Sequence, residues 1–125
     1  MNAYLLVGAG GALGAMARYG VSNAFGGLTR FPAATLGINV LGSIIMGILV
    51  GVLARTLPQS SLEIRLFTGV GILGGFTTFS AFSLDTVTLI ERGEWVQAAL
   101  YAGLSVGLSI AGLYCGLVLT RGGPA

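Results

Sequence analysis

Four long apolar stretches organise the chain, at residues 3–25, 33–57, 63–90 and 96–119. A helix crossing a hydrocarbon core about 30 Å thick needs about 20 predominantly apolar residues. Each stretch therefore predicts one membrane-spanning helix, and residues 1–125 form a single all-α membrane domain. The intervening "GGLTRFP", "PQSS" and "ERGEW" carry turn residues or charges. Tyr4 and Trp95 fall near stretch ends, where amphipathic rings favour the interface. Connections this short allow only an up-and-down arrangement, with both termini on one side.

The third stretch is the unusual one. At about 1.5 Å per residue it would reach about 42 Å, more than a bilayer requires. Its centre, "GILGGFTTFSAFS" from Gly71 to Ser83, sets two glycines before β-branched Thr77-Thr78. Glycine costs a helix about 1 kcal/mol relative to alanine, so a non-helical break is predicted at Gly74-Gly75, mid-membrane. A break survives in lipid only when buried in protein or lining a polar cavity, because freed backbone groups need partners. Freed carbonyls are also oxygen ligands for a small cation. Beyond the glycines, Phe76, Phe79 and Phe82 recur every three residues, as do Thr77, Ser80 and Ser83. Hydroxyls and ring edges thus run side by side. Asp85 follows, and an ionisable residue inside a span is a functional candidate by default.

The other stretches carry quieter signals. In the second, Thr35, Asn39, Ser43, Gly47 and Gly51 repeat every four residues, a polar-then-small stripe on one helix face. Asn39 points to function, since a primary amide in hydrocarbon needs partners and its NH2 can donate two hydrogen bonds. In the fourth, Tyr101, Ser105 and Ser109 form a second hydroxyl track, beside the packing pairs Gly103/Gly107 and Gly112/Gly116. A hydrogen-bonded seam and a pore lining look identical at this level, and the fourth stretch alone favours the seam. In the first, Gly10/Gly14 and Gly11/Ala15 read as close-packing pairs rather than a dinucleotide fingerprint, whose spacing and preceding strand are missing. Arg18, near the end of that span, is placed to snorkel, to cap or to act directly.

Composition sharpens the class. Only 8% of the 125 residues are charged, against roughly 25% in a soluble domain. The 22 glycines show no collagen period, and among apolar residues they suit close helix packing. With no histidine and one cysteine, Cys115, metal clusters, Cys/His nucleophile pairs and internal disulfides are excluded. No nucleophile–base pair suggests an enzyme. The net charge of +2 comes from scattered arginines without lysine, so no nucleic-acid partner is expected. Tyr4 to Leu13 could form a signal-peptide core before Ala15-Met16-Ala17. No Lys or Arg precedes it and further apolar stretches follow, so it is predicted to be retained.

Arginine also fails to choose an orientation. One side of the predicted bundle carries Arg55, Arg65 and Arg121; the other carries Arg30 and Arg92, with Arg18 close by. Orientation follows a Lys/Arg excess, and the excess is about zero. Either another cue decides, or the chain inserts both ways and copies pair antiparallel.

The polar lining itself suggests an anion. A cation route wants rings of carboxylates or carbonyls, and acids here are few. Asn39, the hydroxyls and the positive edges of the Phe rings are all donors. A small anion that hydrogen-bonds strongly fits them.

The stretches "GGALGAMARY", "TLGINVLGS" and "GGFTTFSAFS", with "YAGLSVGLS" in weaker support, resemble the small fluoride channels of the Fluc or CrcB family. The resemblance follows family order and covers nearly the whole chain. It implies an antiparallel, dual-topology homodimer in a bacterial inner membrane, with two pathways for passive fluoride export. Asn39 would then be a pore amide, and Phe79 and Phe82 would turn ring edges to fluoride. Ser80, Tyr101, Ser105 and Ser109 would belong to the polar track, which the hydroxyl spacing extends to Ser83. The backbone carbonyls of Gly74 and Thr77 would hold a structural sodium ion at the dimer centre, not transported. Arg18 would stand near a vestibule, with Asp85 close to it. The chain departs from many family members at Ala81, where a hydroxyl is common, and from some at Asp85, where glutamate stands.

Two rival classes remain in view. A small multidrug exporter needs an acid in its first span for proton coupling, and this first span has none. A purely structural membrane subunit would need no break and no hydroxyl–aromatic track.

Overall fold

The computed structural model of the chain describes residues 2–25, 31–56 and 61–121, and every regular element among them is helical. Helix α1 spans Ala3–Phe25 and α2 spans Ala33–Thr56. A compound helix follows: α3 at Ser61–Ile64, a π-helix at Arg65–Leu73 and α4 at Gly74–Phe76. After two extended residues come α5, Phe79–Glu91, and α6, Trp95–Arg121. The predicted turns at residues 26–30 and 57–60 lie outside the described residues. Among the described residues, three runs are long and apolar enough to cross a membrane: Ala33–Arg55, Leu62–Glu91 and Trp95–Arg121. Helix α1, at 23 residues, is long enough, but its glycines and Arg18 dilute its apolarity.

The predicted site of the break needs correction. Gly74 and Gly75 are both helical. The extended residues are Thr77 (φ −84°, ψ 155°) and Thr78 (φ −153°, ψ 125°). The glycines serve close approach instead: a Cβ on Gly75 would meet the Gly11 carbonyl oxygen at 2.5 Å. The threonines stop one helix and start the next. Thr77 directs both its N–H and its Oγ1 to the Leu73 carbonyl, at 2.9 and 2.8 Å. Thr78 is the N-cap of α5, its Oγ1 accepting from the Ala81 N–H at 3.1 Å, an arrangement that satisfies one orphan donor of the new helix.

Small residues then set the packing. Gly10 and Gly14 of α1 lie against the Phe67 and Ile72 carbonyls of the π-helix, leaving no room for a side chain. Gly47 and Gly51 of α2 press on the Leu113 carbonyl and on Thr120, while Gly112 and Gly116 of α6 receive Ile44. Without a hydrophobic driving force between helices in lipid, such contact is what holds them. Gly103 and Gly107, expected as a packing pair, behave otherwise: among the described residues no atom lies within 4 Å of where a Cβ would stand on either.

The turn after α5 matches its sequence. Gly93 takes φ 79°, with Gly93 N–H on the Ile90 carbonyl and Glu94 N–H on the Leu89 carbonyl, both at 2.9 Å. This is a Schellman closure, which places glycine in the left-handed region. It turns α6 back along α5, burying Leu89, Ala98 and Tyr101, with Phe31, Leu36, Phe82 and Ile90 packed around them. Elsewhere large apolar side chains such as Leu5, Leu84, Val96, Ile110 and Leu119 face outwards. That is the expected surface of a chain whose solvent is hydrocarbon.

Candidate functional site

The extended pair opens a cleft of about 500 Å3 between α2, α5 and α6. Asn39 and Ser43 reach it from α2, and Gly74, Thr77 and Thr78 from the junction. Phe79 and Phe82 come from α5, and Ser105 and Ser109 from α6, with Val106 and Ile110 supplying apolar wall. Among the described residues, no carboxylate lines it.

Asn39 is bound to the junction at two points. Its Nδ2 donates to the Thr78 carbonyl at 3.1 Å, and its Oδ1 accepts the Thr78 N–H at 2.8 Å. A primary amide carries two N–H donors, so one remains. The pair resembles a rung of sheet, supplied by a side chain to an extended residue that has no strand partner. Two of the donor groups predicted on α6 stand ready as well. Ser105 is 6% exposed, and its Oγ and that of Ser109 are buried with no hydrogen-bond partner in the structure. Leaving a buried hydroxyl unpaired costs about 1–3 kcal/mol, so such groups are candidates for a functional role.

The rings form a short ladder. Phe79 and Phe82 lie 5.4 Å apart at 45°, and Phe82 and Tyr101 5.3 Å apart at 35°. Phe31 closes the series edge-on to Tyr101 at 5.6 Å. Phe79 is 77% exposed, so much of its ring is uncovered.

Of the residues predicted for an ion pathway, Asn39, Phe79, Phe82, Ser105 and Ser109 share this one cleft. Three stand outside its lining. Tyr101 is fully buried beside it, its hydroxyl donating to Asp85 Oδ2 at 3.1 Å. Ser83 donates back to the Phe79 carbonyl at 3.0 Å, and Ser80 pairs with the Thr78 hydroxyl at 3.1 Å. Arg18 also lies off the lining, with Nε donating to the Gly75 carbonyl at 3.1 Å. Thr78, which organises much of this site, and Ser43 were not singled out as pathway residues from sequence. Their role depends on contacts between spans that no local pattern displays.

Gly74 and Thr77, predicted as carbonyl ligands of a cation, both border the cleft. Because Thr78 N–H is turned to Asn39, the Gly74 carbonyl loses its helical partner four residues ahead. That chemistry fits a hard monovalent cation better than a transition metal. No cluster of three or more His, Cys, Asp or Glu occurs among the described residues.

Residues 5–117 match the family model described as CrcB-like protein, Camphor Resistance (CrcB). The chain belongs to the CrcB-like family. Its relatives are similar over almost their full lengths. A CrcB-like protein of Roseobacter denitrificans, named "Fluoride-specific ion channel FluC", is 53% identical, covering 98% of both chains. Proteins of the same name from Erythrobacter litoralis, at 50% over 97% of this chain and 93% of the relative, and Cereibacter sphaeroides, at 52% over 98% and 97%, agree. These CrcB-like relatives are named as ion channels, which is not an enzyme class. Family membership, with several helices able to cross a membrane, makes this chain a multi-pass membrane protein.

Proposed function

We propose that this protein is a fluoride-specific ion channel of a bacterial inner membrane, letting fluoride leave the cell passively. One observation carries the reading: two buried serine hydroxyls without partners face the same cleft as the Asn39 amide and the Phe79 and Phe82 rings. Moving even a carboxylate-sized ion from water into a low-dielectric medium costs on the order of 20 kcal/mol in the idealised limit, and a smaller ion pays more. Fixed donors that do not need to reorganise offset that cost best for a small, strongly accepting anion. The names of the relatives point the same way. Asn39, Phe79, Phe82, Ser105 and Ser109 would contact the ion, with Ser80, Ser83 and Tyr101 extending the polar track. Arg18 and Asp85 would flank the vestibules. Fluoride efflux from liposomes holding the pure protein tests the function: rapid release of fluoride is expected, and fluoride that stays trapped would contradict it.

The channel unit would be an antiparallel homodimer in lipid. The balanced arginines support it, as does the exposure of Phe79 and of Gly74 at the junction. Cysteine labelling at Gly123, in a Cys115→Ala background, should modify about half the chains from outside intact cells, as a near-zero charge bias implies. Labelling from one side only would remove the antiparallel dimer.

At the dimer centre, carbonyls of Gly74 and Thr77 from both copies would hold a structural sodium ion. When bound, it would satisfy carbonyls released from the helix and add a fixed positive charge. Flux should then be indifferent to a sodium gradient, yet fall slowly over prolonged exchange into a larger cation. Full flux after exhaustive sodium removal, or flux driven by a sodium gradient, would exclude this role.

A further inference from the structure

An α-helix is a ladder of N–H groups bonded to carbonyls four residues back, and the extended pair cuts two rungs of it. Thr78 N–H would have met the Gly74 carbonyl, and Phe79 N–H the Gly75 carbonyl. Side chains from two other helices take over one group of each rung. Asn39 Oδ1 of α2 accepts the Thr78 N–H at 2.8 Å. Arg18 Nε of α1 donates to the Gly75 carbonyl at 3.1 Å.

Arg18 can reach this point because Gly10, Gly14 and Arg18 stand four residues apart along one face of α1. The two glycines seat that face on backbone: Gly14 lies against the Ile72 carbonyl and the Phe76 N–H, one turn from Gly75. A bulkier pair would lift α1 away and leave the guanidinium short of its acceptor. The position also suits a cation, since the last carbonyls of a helix carry its negative end. Charge and hydrogen-bond geometry are therefore both candidates for what Arg18 contributes.

We propose that Arg18 is a positioning residue acting through its Nε–H. By donating to the Gly75 carbonyl it satisfies the acceptor that the break releases, so the extended pair leaves no unpaired carbonyl there to pull Phe79 N–H back into a continuous helix. Residues 77 and 78 stay extended, the Gly74 carbonyl stays released, and Asn39 keeps its spare N–H for the cleft. The role goes beyond the channel reading and does not depend on which ion passes.

Three substitutions separate the hydrogen bond from the charge. Glutamine carries its amide nitrogen as many bonds from Cα as the arginine Nε, donating without charge. Methionine puts a methyl group there and donates nothing. Lysine keeps the charge but has a methylene at that point. Backbone amide exchange over residues 74–82, followed by mass spectrometry on purified protein without fluoride, reads the junction directly. Arg18→Gln should stay within about twofold of the unsubstituted protein, whereas Arg18→Met and Arg18→Lys should exchange at least about tenfold faster, the scale of one lost hydrogen bond. Flux through liposomes should follow the same order, with glutamine above lysine and methionine. If Arg18→Met does not fold, the comparison of glutamine with lysine decides alone. Protection retained by lysine and lost by glutamine would mean that charge, not Nε–H, matters, and equal protection in all three variants would also overturn the proposal. Because exchange is read without fluoride, failure to conduct fluoride leaves this result untouched, and the reverse holds.

Discussion

Asn39→Leu should cut fluoride flux by about two orders of magnitude while the protein still assembles. Two losses combine in that variant. The spare amide N–H facing the cleft disappears, and a hydrogen bond to a charged partner contributes about 1.5–3 kcal/mol, or roughly tenfold to 150-fold. The Thr78 N–H and carbonyl also lose their partners, at about 1–3 kcal/mol each when left buried and unpaired. The second loss should lower the unfolding temperature, and a rate loss without any stability loss would mean that the two-point pairing to Thr78 is unimportant. Phe82→Ile provides the complementary case. It keeps an apolar side chain of similar reach but removes the ring whose positive edge would face an anion. Stability should change little, because isoleucine can still pack on Tyr101, while flux falls severely. Phe79→Ile should act in the same direction. Unchanged flux in all three variants would reduce Asn39, Phe79 and Phe82 to packing residues.

Helix positions were legible because a membrane crossing needs a run of fixed length, and apolar runs of that length are hard to mistake. The turn at Gly93 was legible too, since charges and a glycine end α5 together. Gly10/Gly14 and Gly112/Gly116 read correctly as contact pairs, because a small residue every four positions has one main use in a membrane helix. Gly74 and Gly75 misled for the opposite reason. Glycine is both flexible and small, and a sequence does not say which property is in use; here it is size, against Gly11. The break moved to the threonines, whose hydroxyls bond locally to backbone at Leu73 and Ala81.

The π-helix at Arg65–Leu73 had no composition signature at all. It lies along α1, with Gly10 and Gly14 against its Phe67 and Ile72 carbonyls, a contact that no local pattern displays. The site divides the same way. Ser105 and Ser109 were recognised as a track, but their hydroxyls could equally have joined a seam until the fold left them unpaired. Ser83 shared the spacing of the track yet bonds to its own helix, because a serine can always reach back to the carbonyl four residues earlier. Spacing selects a helix face. It does not say whether a hydroxyl on that face is already spent.

The central claim is that this cleft discriminates between halides. On this proposal, fixed amide and hydroxyl donors would serve a small anion that accepts strong hydrogen bonds. Chloride is larger, accepts more weakly, and would recover less of its lost hydration from the same groups. Discrimination of even 3 kcal/mol between the two ions would separate their rates by more than about a hundredfold. The deciding measurement is ion efflux from liposomes that contain only this protein, loaded with equal fluoride and chloride and given a potassium ionophore to balance charge. Fluoride should leave within seconds to minutes while chloride stays inside, with no dependence on a proton or sodium gradient. Chloride leaving at a comparable rate, or fluoride staying trapped, would contradict the account.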